Sequence, residues 1–212
     1  IGVLPQDTFA YFDTAYRILK GSVPFRDYWT VSGPFIDYLQ AAIFYIFGIS
    51  WKSYVINGSL INTLITIIFF YTIRNFNQDR LHSLFYAFCF SILANPSMGT
   101  PFPDHYSTFL SLMGIFFFLI AIKKEKKIFW LLVPVCFFFG FLSKQSPSSY
   151  ILLVLLISVF IYVKYSKNLS FIKEFFTSSV FCIFFLFAFL YLNEIEFQQF
   201  IYQYISFPKT IA

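Results

Sequence analysis

The chain has 212 residues, of which 58% are hydrophobic and 12% charged, with a net charge of +5 and a mean hydropathy of +0.71. Soluble domains carry about a quarter charged residues, so this chain cannot cover a water-facing surface and reads as an integral membrane protein. Its small positive excess sits in short clusters rather than on one basic face, which excludes a nucleic-acid partner.

Residues 1–33 differ from the rest. They hold Asp7, Asp13, Arg17, Lys20, Arg26 and Asp27 among many aromatics. From Thr8 to Leu19 the apolar positions Phe9, Phe12, Tyr16 and Leu19 recur at helical spacing, and Gly21 is a natural stop. This predicts a structured loop with an amphipathic helix. Residues 34–48, PFIDYLQAAIFYIFG, are apolar, but about 15 residues make a helix of only ~22 Å, short of a ~30 Å hydrocarbon core. They are read as a juxtamembrane helix in or near one leaflet, with Asp37 and Gln40 on one side; a tilted span is the alternative.

Six apolar runs follow: residues 54–73, 81–94 (short), 106–122, 128–142, 151–165 and 175–192. RNFNQDR separates the first two, KKEKK the third and fourth, and KYSKNLSFIKE the fifth and sixth. Basic residues collect on the cytoplasmic side. That rule sets all three segments inside, and the opposite side receives residues 1–53, GTPFPDHYST (99–108), SKQSPSSY (143–150, read as a polar loop) and the acidic NEIEFQQF (193–200). The expected organisation is an all-α, polytopic transmembrane bundle over residues 54–192, an outer loop of juxtamembrane helices over 1–53, and an outer segment over 193–212. The absence of an initial Met and the end just past a proline suggest a fragment. Cys89, Cys136 and Cys182 lie within apolar runs, as buried thiols do.

One face therefore gathers Asp7, Asp13, Arg26, Asp27, Asp104, His105 and Lys144. Ionisable groups at a bilayer are functional candidates by default. Each also has a plainer reading: Asp7 and Asp104 as helix N-caps, Asp27 as the partner of Arg26, His105 as an interfacial polar residue, and Lys144 as a snorkelling side chain. A carboxylate beside basic groups suits transfer from a lipid phosphate. The carboxylate takes a proton from, or orients, an acceptor hydroxyl, and the cations neutralise the departing phosphate. A carboxylate pair with one His could hold a divalent ion, but no ligand spacing here is diagnostic.

The stretch QDTFAYFDTAYRILKGSVPFRDYWTVSGPFIDYLQAAIFYIFG resembles the first outer loop of the GT-C glycosyltransferases, above all bacterial members similar to protein O-mannosyltransferases and the lipid A aminoarabinose transferase. The resemblance rests on Gly21, Pro24, Phe25, Asp27, Trp29, Gly33, Pro34, Phe47 and Gly48 in order. PDHYSTFLSLMGIFFF looks like the later span that opens on a second acid, and FLSKQSP like a Lys-Gln step; together these cover about residues 3–165. Thr8 stands where many members have Glu, and Ser32 where many have Lys.

The resemblance implies an inverting enzyme of the bacterial plasma membrane with its active site on the outer face. It would move a sugar from a polyprenyl-phosphate donor to a lipid, glycan or protein acceptor. By the same carry-over Asp7 and Asp104 are the catalytic candidates, and Arg26, Asp27, Tyr28, His105, Lys144 and Gln145 the substrate-binding ones. A transporter or flippase subunit is the alternative. Its midspan polar residues and Gly/Pro breaks contrast with span centres made almost wholly of Phe, Leu and Ile. A scaffold without chemistry is a third reading, and it predicts tolerance of charge substitutions in the loop.

Overall fold

The computed structural model describes residues 5–94, 99–166 and 171–211, with side chains described for 9–94, 99–166 and 171–210. Apart from one bridge between Pro24 and Tyr28, the regular structure of these residues is helical. The all-α membrane bundle expected from the sequence is what forms.

Helix α1 (Pro5–Leu19) stops at Gly21, whose φ of +93° needs a residue without Cβ. Helix α2 (Pro34–Phe47) opens on a proline and closes at Gly48, φ +82°. Six longer runs follow: α3 (Trp51–Asn75), α4 (Arg80–Ala94), α5 (Pro103–Lys124), α6 (Lys127–Phe141), α7 (Gln145–Ser166) and α8 (Ile172–Leu192). Of these, α3, α5, α7 and α8 are long and apolar enough to cross a membrane, while α2, α4 and α6 are shorter. The chain closes with α9 (Phe197–Ile201), a π-helical turn (Tyr202–Ser206) and α10 (Pro208–Ile211).

The antiparallel pair α5–α6 forms the centre. Tyr106, Phe109, Leu110, Met113 and Phe116 of α5 pack with Ile36 of α2 and Ile61 and Ile65 of α3. Further along, Phe118 and Ala121 pack with Trp130, Val133 and Phe137 of α6, Leu155 of α7 and Phe175 of α8. Small residues permit close approach where lipid gives apolar faces no reason to associate. A Cβ on Gly114 would sit 2.6 Å from the Phe137 ring, and one on Gly140 2.8 Å from the Ser148 hydroxyl.

These contacts define two ends. Tyr106 at the start of α5 donates to Asn57 near the start of α3 (2.7 Å), and Asn57 donates to Gln40 of α2 (2.9 Å), all three being buried. The starts of α3, α5 and α7 and the finishes of α6 and α8 therefore share one end. At the other end Lys127 of α6 pairs with Glu174 of α8 (2.9 Å) and Trp130 stacks on Phe171 (3.9 Å). This second end carries Arg74, Arg80, Lys123, Lys124, Lys126, Lys127, Lys164 and Lys173; it is called the basic end below. Helix α2 begins and finishes at the first end. The Gly33 and Phe35 amides donate to the carbonyls of Ser143 (3.2 Å) and Leu142 (3.1 Å), and past its other terminus Ser53 of α3 donates to the Gly48 carbonyl (2.6 Å).

One local expectation is corrected. The stretch 143–150 is a loop only at its start: after an extended Ser146 (φ −106°, ψ 136°) its serines enter α7. Ser148 meets Ser111 of α5 (3.0 Å), and Ser149 bonds back to the Gln145 carbonyl (2.7 Å). Beyond Leu192, Ile195, Phe200 and Tyr204 pack with Val23 and Phe25.

Candidate functional site

Asp104 lies in the first turn of α5, after an extended Phe102 and with Pro103 at the first helical position. No side chain caps this helix, so the capping role is not the one Asp104 plays. Its carboxylate faces the connection between α6 and α7, where the Lys144 ammonium donates to both oxygens, at 2.7 and 2.8 Å. Lys144 is therefore committed to Asp104 rather than snorkelling. Its backbone is fixed too, with its amide on the Gly140 carbonyl (3.1 Å) and its carbonyl accepting from Ser107 (3.0 Å). The pair stays partly open to solvent, Lys144 at 37% and Asp104 at 43% exposure.

The pair lies between two clefts. One, of about 210 Å³, is walled by Ala10, Tyr11, Val31, Ser32, Asp104 and Lys144. The other, of about 690 Å³, is walled by Val31, Lys144, Gln145, Ser149, Tyr204 and Lys209 among others, a volume typical of small-molecule sites. Val31 and Lys144 belong to both. A third cleft, of about 360 Å³ between α2, α6 and α8, is nearly all apolar.

The turn after α1 is tied on every side. Phe25 adopts a left-handed φ of +67°, costly for an aromatic residue, and is held by complete burial of its ring. Its neighbours Arg26 and Asp27 form a two-pronged pair, at 2.9 and 3.0 Å, and Asp27 also accepts from the Val23 amide (2.7 Å). The Arg26 hydrogen bond, followed by the Val23 amide, holds the Asp27 carboxyl below its ordinary range. The third Arg26 bond reaches the Asn193 carbonyl (3.0 Å). Gln203 spans the turn, accepting from the Thr30 amide (3.1 Å) and donating to the Phe25 carbonyl (3.0 Å). Gln145 donates to the carbonyls of Val31 (3.1 Å) and Tyr204.

The Tyr28 hydroxyl donates to Asp37 (3.3 Å), which also accepts from Thr14 of α1 (2.7 Å). Asp37 is fully buried, and burial pushes its carboxyl up to about 7 against the two hydroxyls that favour the charged form. A raised folded-state value adds stability below the unfolded value, near pH 4, and loses it as pH rises through about 7. Thermal midpoints of the wild type should therefore fall across that window. Asp37→Asn should flatten the dependence and be the more stable form at pH 8, by at most about 4 kcal/mol. Parallel pH profiles for both proteins would contradict this.

The structure thus brings Asp104, Lys144 and Gln145 together, and engages Arg26, Asp27 and Tyr28 in bonds within the turn. His105 does not line either cleft of the pair. Its ring stands edge-on to Phe102 (5.9 Å) and Phe109 (6.1 Å), with Nδ1 buried and unbonded. Asp7 falls in the first turn of α1 rather than ahead of it, since the helix starts at Pro5; its side chain lies outside the described residues. Sequence reasoning missed Thr14 and Gln203, and placed Asp37 on a helix face without a partner. Among the described residues no group of three or more His, Cys, Asp or Glu is placed to hold a metal ion.

A family model described as dolichyl-phosphate-mannose-protein mannosyltransferase matches residues 31–192. The chain belongs to that family. It is accordingly a membrane glycosyltransferase of the GT-C type, mannosyltransferase-like, as the loop and Lys-Gln motifs suggested. No curated protein and no solved structure matches the chain. The mannosyltransferase-family match includes Asp37, Asp104 and Lys144, and leaves Asp7 and the Arg26–Tyr28 turn outside it.

Proposed function

We propose that the chain moves a sugar from a polyprenyl-phosphate carrier to a lipid, glycan or protein acceptor, with inversion, at the end of the bundle that holds Asp104. By the positive-inside rule the basic end is cytoplasmic. Residues 1–53 and 193–212 then lie on the outer face of what we take to be a bacterial plasma membrane, around the bundle of residues 54–192. The single observation that carries the reading is the Asp104–Lys144 pair standing between two clefts.

In this reading the acceptor enters the smaller cleft and the donor phosphate the larger. Helical spacing sets position 7 on the face of α1 that carries Ala10 and Tyr11. Asp7 takes the proton of the acceptor hydroxyl as its oxygen bonds to the anomeric carbon, and Asp104, the second acid of the site, positions that hydroxyl and the Lys144 ammonium. The bond from that carbon to the phosphate oxygen breaks, and Lys144 neutralises the charge left on the phosphate. Arg26, Asp27 and Tyr28 serve by shaping the turn that walls the site, and Gln145 by holding Val31 against Tyr204. His105, next to Asp104 on α5, contacts the substrate when the Asp104 cleft widens on binding. The family relation supports a lipid-linked donor.

The test follows labelled sugar from a polyprenyl-phosphate sugar in membranes containing wild type or Asp7→Asn. The expected result is transfer by the wild type and a loss of about 10²–10⁴-fold in an equally abundant variant. Equal transfer would remove Asp7 from the site.

A further inference from the structure

The turn after α1 leaves its largest side chain uncovered. Trp29 is 52% exposed although Phe25, four residues earlier, is fully buried. Two rings from the C-terminal turn stand edge-on to it: Tyr202 at 5.7 Å and Phe207 at 5.2 Å, both at 84°. Tyr202 is itself 56% exposed. The group is rigid as well as open. Gln203 bridges the Thr30 amide and the Phe25 carbonyl, and Arg26 reaches the Asn193 carbonyl, so the backbone on both sides of Trp29 is bonded to the C-terminal segment.

The three rings do not line the 690 Å³ cleft themselves, but their chain neighbours do. Val31, two residues beyond Trp29, lines that cleft, as do Tyr204, Ile205 and Pro208, which interleave with Tyr202 and Phe207. The same cleft is lined by Lys144, Gln145, Ser149 and Tyr150. A pyranose ring has a face of weakly positive C–H groups and a rim of hydroxyls. The C–H face stacks on the electron-rich face of an indole, and the hydroxyls need polar partners across the cleft. A membrane-surface anchor would also expose a Trp, but this one shares its turn with the part-exposed Arg26–Asp27 pair and borders a cation-lined cleft.

We propose that Trp29, buttressed by Tyr202 and Phe207, stacks on the sugar ring of the lipid-linked donor. The inference rests on the donor reading above, because the sugar is one bond from a phosphate held at Lys144.

The full chain in nanodiscs tests it. Difference tryptophan emission between wild type and Trp29→Phe isolates Trp29 from Trp51 and Trp130. Addition of polyprenyl-phosphate sugar is expected to shift that difference signal, and sugar-free polyprenyl phosphate is not. Trp29→Ala is expected to weaken binding of the labelled sugar-bearing lipid by about tenfold, the scale of one aromatic contact, and to leave the sugar-free lipid unaffected. Trp29→Phe keeps a ring and the fold should Ala disturb it. The inference is overturned if wild type binds the donor while Trp29 emission ignores the sugar. Quenching of Trp29 by brominated phospholipids in the absence of donor would also overturn it, making the residue a bilayer anchor. Wild type that binds no sugar-bearing lipid would bring down the donor reading itself, and this inference with it.

Discussion

Asp104→Asn lowers sugar transfer by about 10²–10⁴-fold, the usual contribution of a positioned acid or base, and leaves the thermal midpoint nearly unchanged. The two halves of this expectation have separate causes. The carboxylate lines the smaller cleft and meets, through both oxygens, the Lys144 ammonium that belongs to both clefts, so its loss strikes the reacting end of the molecule. The pair is more than one third exposed on each side, and ion pairs in that setting contribute little to folding. Lys144→Met should be comparably damaging through the uncompensated phosphate. The double variant should lose far less than the product of the two single losses, because groups that act as a unit are not additive. Full transfer by Asp104→Asn, or a collapse of its midpoint, would show the pair to be a structural strut.

Gly33→Ala is expected to do the opposite, damaging the fold first. A Cβ at Gly33 would lie 1.7 Å from the Leu142 carbonyl oxygen and 2.2 Å from its carbon. Both are backbone atoms on the connection that carries Lys144, so no side-chain rotation relieves the clash. Either the start of α2 or the end of α6 must move, breaking the bonds from Gly33 to Ser143 (3.2 Å) and from Phe35 to Leu142 (3.1 Å). Overpacking ordinarily costs about 1–3 kcal/mol, and this case belongs at or beyond the upper end. The midpoint should drop by many degrees, with transfer lost alongside. Gly58→Ala is the milder control, its Cβ meeting the Gly99 carbonyl oxygen at 2.9 Å. A Gly33→Ala protein as stable as wild type would mean that α2 does not dock on the α6–α7 connection as described.

The helices were legible because each is a long apolar run closed by charge clusters or by Gly and Pro. Pro34–Phe47 was read as too short to span, and it forms a helix whose two ends reach the same end of the bundle. The Arg26–Asp27 pair was legible because the partners are adjacent. What one sequence conceals is pairing at a distance. Asp104 and Lys144 are 40 positions apart, and charge counting placed them on one face without joining them. Thr14, Tyr28 and Asp37 each look ordinary alone, and the two hydroxyls meet the buried Asp37 carboxylate only when α1 and the turn after it lie on α2. Gln203 reads as one more polar residue in an acidic tail, yet its amide has both bonding directions that the turn at 25–30 requires. The serines of SPSSY looked like loop because serine is a weak helix former. They are tolerated in α7 because they bond back to the helix or across to α5.

The most direct measurement is transfer of radioactive sugar from a defined polyprenyl-phosphate sugar, in membranes with and without the wild-type protein and with Asp104→Asn at matched abundance. The account predicts protein-dependent release of sugar from the lipid that the variant does not support. Membranes with and without the wild-type protein releasing sugar at the same rate, across mannose and other polyprenyl-linked sugars, would contradict it.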